Sequence, residues 1–365
     1  MERTSRHLSI AAALIAAMAI GAWLRWSLAG VVELSLPFSH LRHAHSHLGY
    51  FGLLFPLAWL GWDAAGARTL GRTAWWIYGV ATVVACVGFV RSGYGIIAIV
   101  GSTIVGGYWL WSAIALLPRM KRLRDPLGGV PIGVVASLAC VPPIAMTLRS
   151  DPALAHGFVA TFLSGLLLLV VVPSALASQR ISPGPWPAFL LTGSLGALFL
   201  GVAPNVVTRG ALLAYAGLLA IPAALPRLAT HLRVVWGAVA FGLAAMALGA
   251  VPNVRPVALG ATHFLILGPV LATLSLVWLP RTPPAWAWWV GHACWGGMSA
   301  ALVLQAFTSA SWTWAAAAAG GTGTLVWWAV VLAYQRNGEP DERSDRQSGP
   351  PNPRDETSAS PSSSR

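Results

Sequence analysis

Twelve stretches of the chain are apolar over about the 20 residues that carry a helix across ~30 Å of hydrocarbon. They lie at roughly 8–30, 45–62, 74–91, 94–117, 130–148, 153–176, 187–203, 208–226, 232–250, 257–279, 285–305 and 312–334. Nothing else in the sequence constrains the fold as strongly. Backbone placed in lipid must satisfy its own N–H and C=O groups, so the spans have to be helices; the alternating ten-residue segments of a membrane barrel are not present. A chain that is 56% hydrophobic and 9% charged, with a mean hydropathy of +0.67, cannot be a soluble globule with an ordinary polar surface. The expected fold is all-α: a polytopic transmembrane bundle of about 12 helices, filling residues 1–335. The first run follows the basic "MERTSRH" and reads as a retained span rather than a cleaved leader. Residues 336–365 are polar, rich in Pro and Ser, and expected to form a disordered cytoplasmic tail.

The net charge of +12 reports topology, and no nucleic-acid partner is expected. Of the 23 Lys and Arg, only Arg25, Arg42, Arg91, Arg149, Arg209 and Arg255 fall on the side opposite the termini. The excess of positive charge on the other side places both termini in the cytoplasm of a cell with a bacterial inner membrane. Cys86, Cys140 and Cys294 sit inside separate spans without metal-ligand spacing and read as buried apolar thiols.

This topology assigns each histidine a depth. His7 and His231 fall at the cytoplasmic surface. His40, His43, His45 and His47 gather at the outer start of span 2, in "RHAHSHLGYFG". His156 and His263 lie a few residues into spans 6 and 10, within ~10 Å of the same outer boundary, and His292 is nearer the middle of span 11. The steps from His47 to His156 and from His156 to His263 are 109 and 107 residues, four spans each. Three repeats of a four-helix unit are expected, with the histidine-bearing helix second in each.

Ionisable side chains within a membrane are expensive and usually functional, and neutral imidazole is a common metal and haem-iron ligand. Residues two apart lie ~200° around a helix, so His45 points away from the face that His43 and His47 share. A bis-histidine haem needs imidazoles from two facing helices at one depth, which spans 2 and 10 supply. Arg42 and Arg255, with the other outer-loop arginines, suit haem propionates, or else mark the headgroup layer. The histidine cluster equally reads as a solvated interfacial patch, or as the mouth of a divalent metal-ion transporter for zinc or copper.

Twelve spans with histidines on the second, sixth and tenth resemble the haem-copper oxidase subunit I architecture. "RHAHSHLGYFG" is similar to the span 2 motif of C-type oxidases and nitric oxide reductases, where an arginine precedes the haem ligand by three residues and Phe-Gly follows. Arg42, His45, Phe51 and Gly52 match. "HAHSH" also resembles the "HAHEM" motif of the NnrS family, with Ser46 and His47 in place of Glu and Met, and "RMKRLRD" falls where that family has a basic loop. The resemblance implies haem b ligated by His45 and His263, with His47 and His43 beside it, and copper near His156. It also implies nitric oxide response or respiratory redox handling, by an oxidoreductase or electron-transfer protein with a redox partner or a gas ligand such as NO. Span 7 lacks the paired histidines of the oxidases, span 10 has one histidine where they have two, and Ala160 stands at their tyrosine position. A complete oxygen-reducing centre is therefore not expected.

Overall fold

The structure, a computed structural model, describes residues 2–67, 70–148, 150–308 and 310–336. Arg149 and the tail expected to be disordered lie outside them. The described residues form twelve helices and no strands: α1 (Glu2–Leu28), α2 (38–64), α3 (Arg72–Ser92), α4 (Ile96–Lys121), α5 (Val130–Thr147), α6 (Pro152–Ser178), α7 (Trp186–Gly201), α8 (Val206–Ala224), α9 (Thr230–Leu248), α10 (Arg255–Trp278), α11 (Ala285–Leu304) and α12 (Trp312–Arg336). Nine of them are long and apolar enough to cross a membrane. Their outward faces are apolar: Val80, Val83 and Val87 on α3, Ile96 and Ile99 on α4, and Phe241 on α9 are all exposed. Such continuous apolar surface is what lipid, rather than water, accommodates.

The helices run up and down, each packing on its chain neighbour, and α12 closes the ring against α1. The end at which α1 begins is called proximal here, and the other end distal. α2, α6 and α10, the second helix of each four-helix arc, turn inward and pack on one another through their proximal halves. Gly61 makes that approach possible, because a Cβ there would lie 2.9 Å from the Ser174 carbonyl oxygen and 3.0 Å from Leu274 Cδ2. Trp62 donates its indole N–H to Ser174 Oγ at 2.6 Å across the same junction.

Each of the three inner helices carries a widened π turn: Leu48–Leu54, Leu167–Val171 and Ile266–Val270. Pro56 and Pro173 follow the first two turns by two residues and explain them, while Pro269 lies inside the third. A proline has no N–H to donate and its ring clashes with the carbonyl four residues back, so the preceding turn opens. Carbonyls left over by the wider turn find partners on neighbouring helices. Tyr78 on α3 donates its hydroxyl to Phe51 O, and Tyr215 on α8 donates to Leu168 O, both at 2.6 Å.

α2 starts at Phe38, directly after Pro37, about two turns before the apolar run begins. The histidine triplet is therefore well inside a helix. A hydropathy window cannot see those first turns, because they are polar.

Candidate functional site

The helical period of α2 separates the triplet as expected. His43 and His47 face α3: the His47 ring lies 3.9 Å from Phe89, and His43 lies 4.6 Å from Tyr94. His45 faces the other way, toward α1 and α10, where its ring meets that of His263. The two ring centres are 6.3 Å apart and the planes are parallel to within 9°. Counted from the distal end, His45 is the eighth residue of its helix and His263 the ninth, so both are about 10–12 Å deep at 1.5 Å per residue.

The hydrogen bonds fix both tautomers. His45 Nδ1 contacts Ala17 O at 2.7 Å, and His263 Nδ1 contacts Leu259 O at 2.8 Å. A carbonyl only accepts, so each Nδ1 carries the hydrogen and donates it, leaving the lone pair on Nε2. At His263 that lone pair is in use: Arg25 Nη2 donates to Nε2 at 2.8 Å. Arg25 is buried within α1, and its guanidinium also reaches toward His45. A Cβ on Gly21 would stand 2.6 Å from His45 Cε1 and 3.0 Å from Arg25 Nη1. Only glycine at position 21 lets the imidazole and the guanidinium lie side by side against α1. Both histidines are half-buried where α1, α2 and α10 meet around them.

The other candidate residues lie elsewhere. His43 and His47 share the α3 face, and Arg42 lies by His43 and Tyr94 rather than by His45. Arg255 is exposed as the first residue of α10. His156 is exposed too, and here the expected convergence of three imidazoles gives way to a convergence of two. The reason is the geometry of α6, whose proximal half joins the axis while its distal half packs on α5 and α7, carrying His156 outward. Among the described residues no three His, Cys, Asp or Glu side chains come together to hold a metal ion.

Sequence reasoning placed three residues wrongly. Arg25 enters the sequence reading only as a charge on the side opposite the termini, yet it sits in the apolar run "GAWLRWSL", and an arginine inside a span is the available signal. From sequence His231 is expected at the cytoplasmic surface and His292 nearer the middle of span 11. They are instead a buried pair, with His231 Nδ1 3.1 Å from His292 Nε2 and Trp288 parallel to His231 at 5.1 Å. His231 opens α9 and looks solvent-facing by hydropathy, but α11 covers it.

Compared with protein-family models, with curated proteins and with solved structures, the chain matches none of them.

Proposed function

We propose that this chain is an integral membrane haem-binding protein of the NnrS and haem-copper oxidase subunit I-like group, in which His45 and His263 ligate the iron of one haem b. The observation that carries the reading is the pair itself: two parallel imidazoles on different helices, at one depth, both with Nδ1 anchored to backbone and the lone pair on Nε2, which at His263 Arg25 covers. A backbone acceptor on the far nitrogen is the usual way a ligating histidine is oriented. The spacing suits a metal between them. With a metal–nitrogen bond of about 2.0 Å on each side and a ring centre roughly 1.1 Å behind its nitrogen, the two centres lie about 6 Å apart.

The donor set therefore fits a haem iron on one condition. Arg25 occupies the lone pair of His263, so its guanidinium has to swing aside when the cofactor is bound. The side chain is long enough to do so, and a guanidinium freed beside the site is suited to bidentate pairing with a carboxylate such as a propionate. When bound, haem supplies one-electron exchange and, where a ligand position opens, affinity for a gas such as NO. The chain's own contribution is to hold two imidazoles in fixed tautomers, away from water, within a low-dielectric bundle. A role in nitric oxide response or respiratory redox handling follows from that reading. The copper that the resemblance implies does not fit as well: His156 stands apart on an exposed surface, and no step is assigned to it.

Absorption spectroscopy of the purified protein tests the reading. A Soret band that shifts on reduction is expected. A colourless preparation, unable to bind added haemin but able to bind zinc, would overturn it in favour of the metal-ion transporter.

A further inference from the structure

We propose that the buried His231–His292 pair is the entrance of a proton path that runs along the inner face of α11, from the proximal end of the bundle toward the level of His263. The path needs no bound cofactor, so it stands or falls separately from the haem reading.

Three observations place it. First, the two imidazoles are 5% and 8% exposed and hydrogen-bonded directly, Nδ1 of His231 to Nε2 of His292 at 3.1 Å. Since α9 begins at Thr230 and α11 at Ala285, the bond leads inward from the second residue of one helix to the eighth of the other. Second, the polar line continues. His292 Nδ1, Trp295 Nε1 and Ser299 Oγ are all buried without a hydrogen-bond partner. Their spacing of three and four residues puts them on one stripe of α11, about 10 Å long. Buried polar groups are rarely left unpaired, because each orphan costs about 1–3 kcal/mol, and a file of them in an apolar bundle is a place that water can bridge. Third, the stripe lies against the part of α10 that bears the haem-site histidine. A Cβ on Gly260 would be 2.7 Å from Ser299 O, and one on Gly268 would be 3.5 Å from Trp295 Nε1, so the stripe brackets His263 along the chain.

The chemistry balances without electrons. A proton arrives on Nε2 of His231, the hydrogen on its Nδ1 passes to Nε2 of His292, and the hydrogen on Nδ1 of His292 leaves along the file. One proton enters and one exits, which leaves both hydrogens on Nε2; the pair resets when its bond opens and each ring gives its Nε2 hydrogen to water and takes one back on Nδ1. Ser299 both accepts and donates, whereas Trp295 only donates and so orients water without carrying a proton. The groups facing the pair are the indoles of Trp288, Trp289 and Trp295 on α11, and Trp327 on α12 packs on Trp288 and Trp295. None of them titrates. Arg233, the nearest guanidinium on α9, is turned to Ala223 O on α8 at 3.1 Å.

The test uses the full chain in phosphatidylcholine–phosphatidylglycerol liposomes holding a pH-sensitive dye, with a valinomycin-clamped potassium gradient to drive protons. Wild-type protein, with or without haem, is expected to acidify or alkalinise the lumen faster than protein-free vesicles. His292→Phe is expected to slow that flux about tenfold or more, equivalent to roughly 1.4 kcal/mol of barrier. His292→Gln, which can keep the bond to His231 but cannot relay a proton, separates relay from fold: flux falls while the thermal midpoint holds. Ser299→Ala removes one hydroxyl far from the pair and is expected to slow flux several-fold, and it is the variant to read if His292→Phe does not fold. Wild-type flux no greater than that of empty vesicles, or unchanged flux in folded His292→Gln or Ser299→Ala, overturns the proposal.

Discussion

The bundle holds two histidine pairs that differ in one respect. At the distal site each imidazole bonds backbone with Nδ1, and the rings stand 6.3 Å apart with a guanidinium reaching between them. At the proximal site the rings bond each other, nitrogen to nitrogen at 3.1 Å. Backbone anchoring leaves the Nε2 atoms of both distal rings on the side of the guanidinium, whereas the proximal rings spend one nitrogen each on a shared hydrogen and keep His231 Nε2 and His292 Nδ1 outside that bond. Residue type is the same in both places; the two proposed roles, iron ligand and proton relay, are distinguished by the partner of the first nitrogen.

The comparison breaks most easily at the distal pair. His45→Ala and His263→Ala are each expected to abolish the Soret band, while His292→Phe leaves it intact; visible spectra of the three purified variants, with circular dichroism to confirm helicity, decide it. If the band survived both alanine variants, the distal pair would be no ligand pair at all. Next in size is Gly21→Val. Its Cβ has to displace the His45 ring, with overpacking of about 1–3 kcal/mol, and haem occupancy should fall several-fold in a haemochromogen assay while proton flux is unmoved.

Arg25→Met sharpens the distinction further. If the guanidinium competes with iron for His263, its removal raises haem affinity by about tenfold, or roughly 1.4 kcal/mol, measured by titrating apo-protein with haemin. An affinity that fell instead would place Arg25 among the groups that hold the cofactor. The smallest effects belong to the π turns. Tyr78→Phe and Tyr215→Phe each remove one hydrogen bond to a π-turn carbonyl and should lower stability by about 1 kcal/mol, seen as a lower thermal midpoint. Only Tyr78→Phe, under the turn that follows His45, should also broaden the haem spectrum, since α6 contributes no histidine to the site.

Much of this was legible in the residues. Twelve apolar runs match twelve helices, the 109- and 107-residue steps from His47 through His156 to His263 mark the inner helix of each arc, and the two-residue step within "HAHSH" already separates His45 from His43 and His47. These are local properties of a helix, set by its rise and its 100° turn. His156 shows where locality ends. It lies near the start of α6, as its place in the apolar run implies, but position along a helix says nothing about which way the helix leans, and α6 leans away from the axis at that level.

The sequence alone thus determined the number of helices and which side of α2 each imidazole takes, because hydropathy and helical period act over a few turns of chain. Only the tertiary structure decided that Arg25 bonds His263 across 238 residues and that His231 and His292 share a hydrogen across 61. Those contacts depend on the order in which α1, α9, α10, α11 and α12 pack around the ring, and packing order is settled by small residues such as Gly21 and Gly260 whose importance lies in what they allow a distant helix to approach.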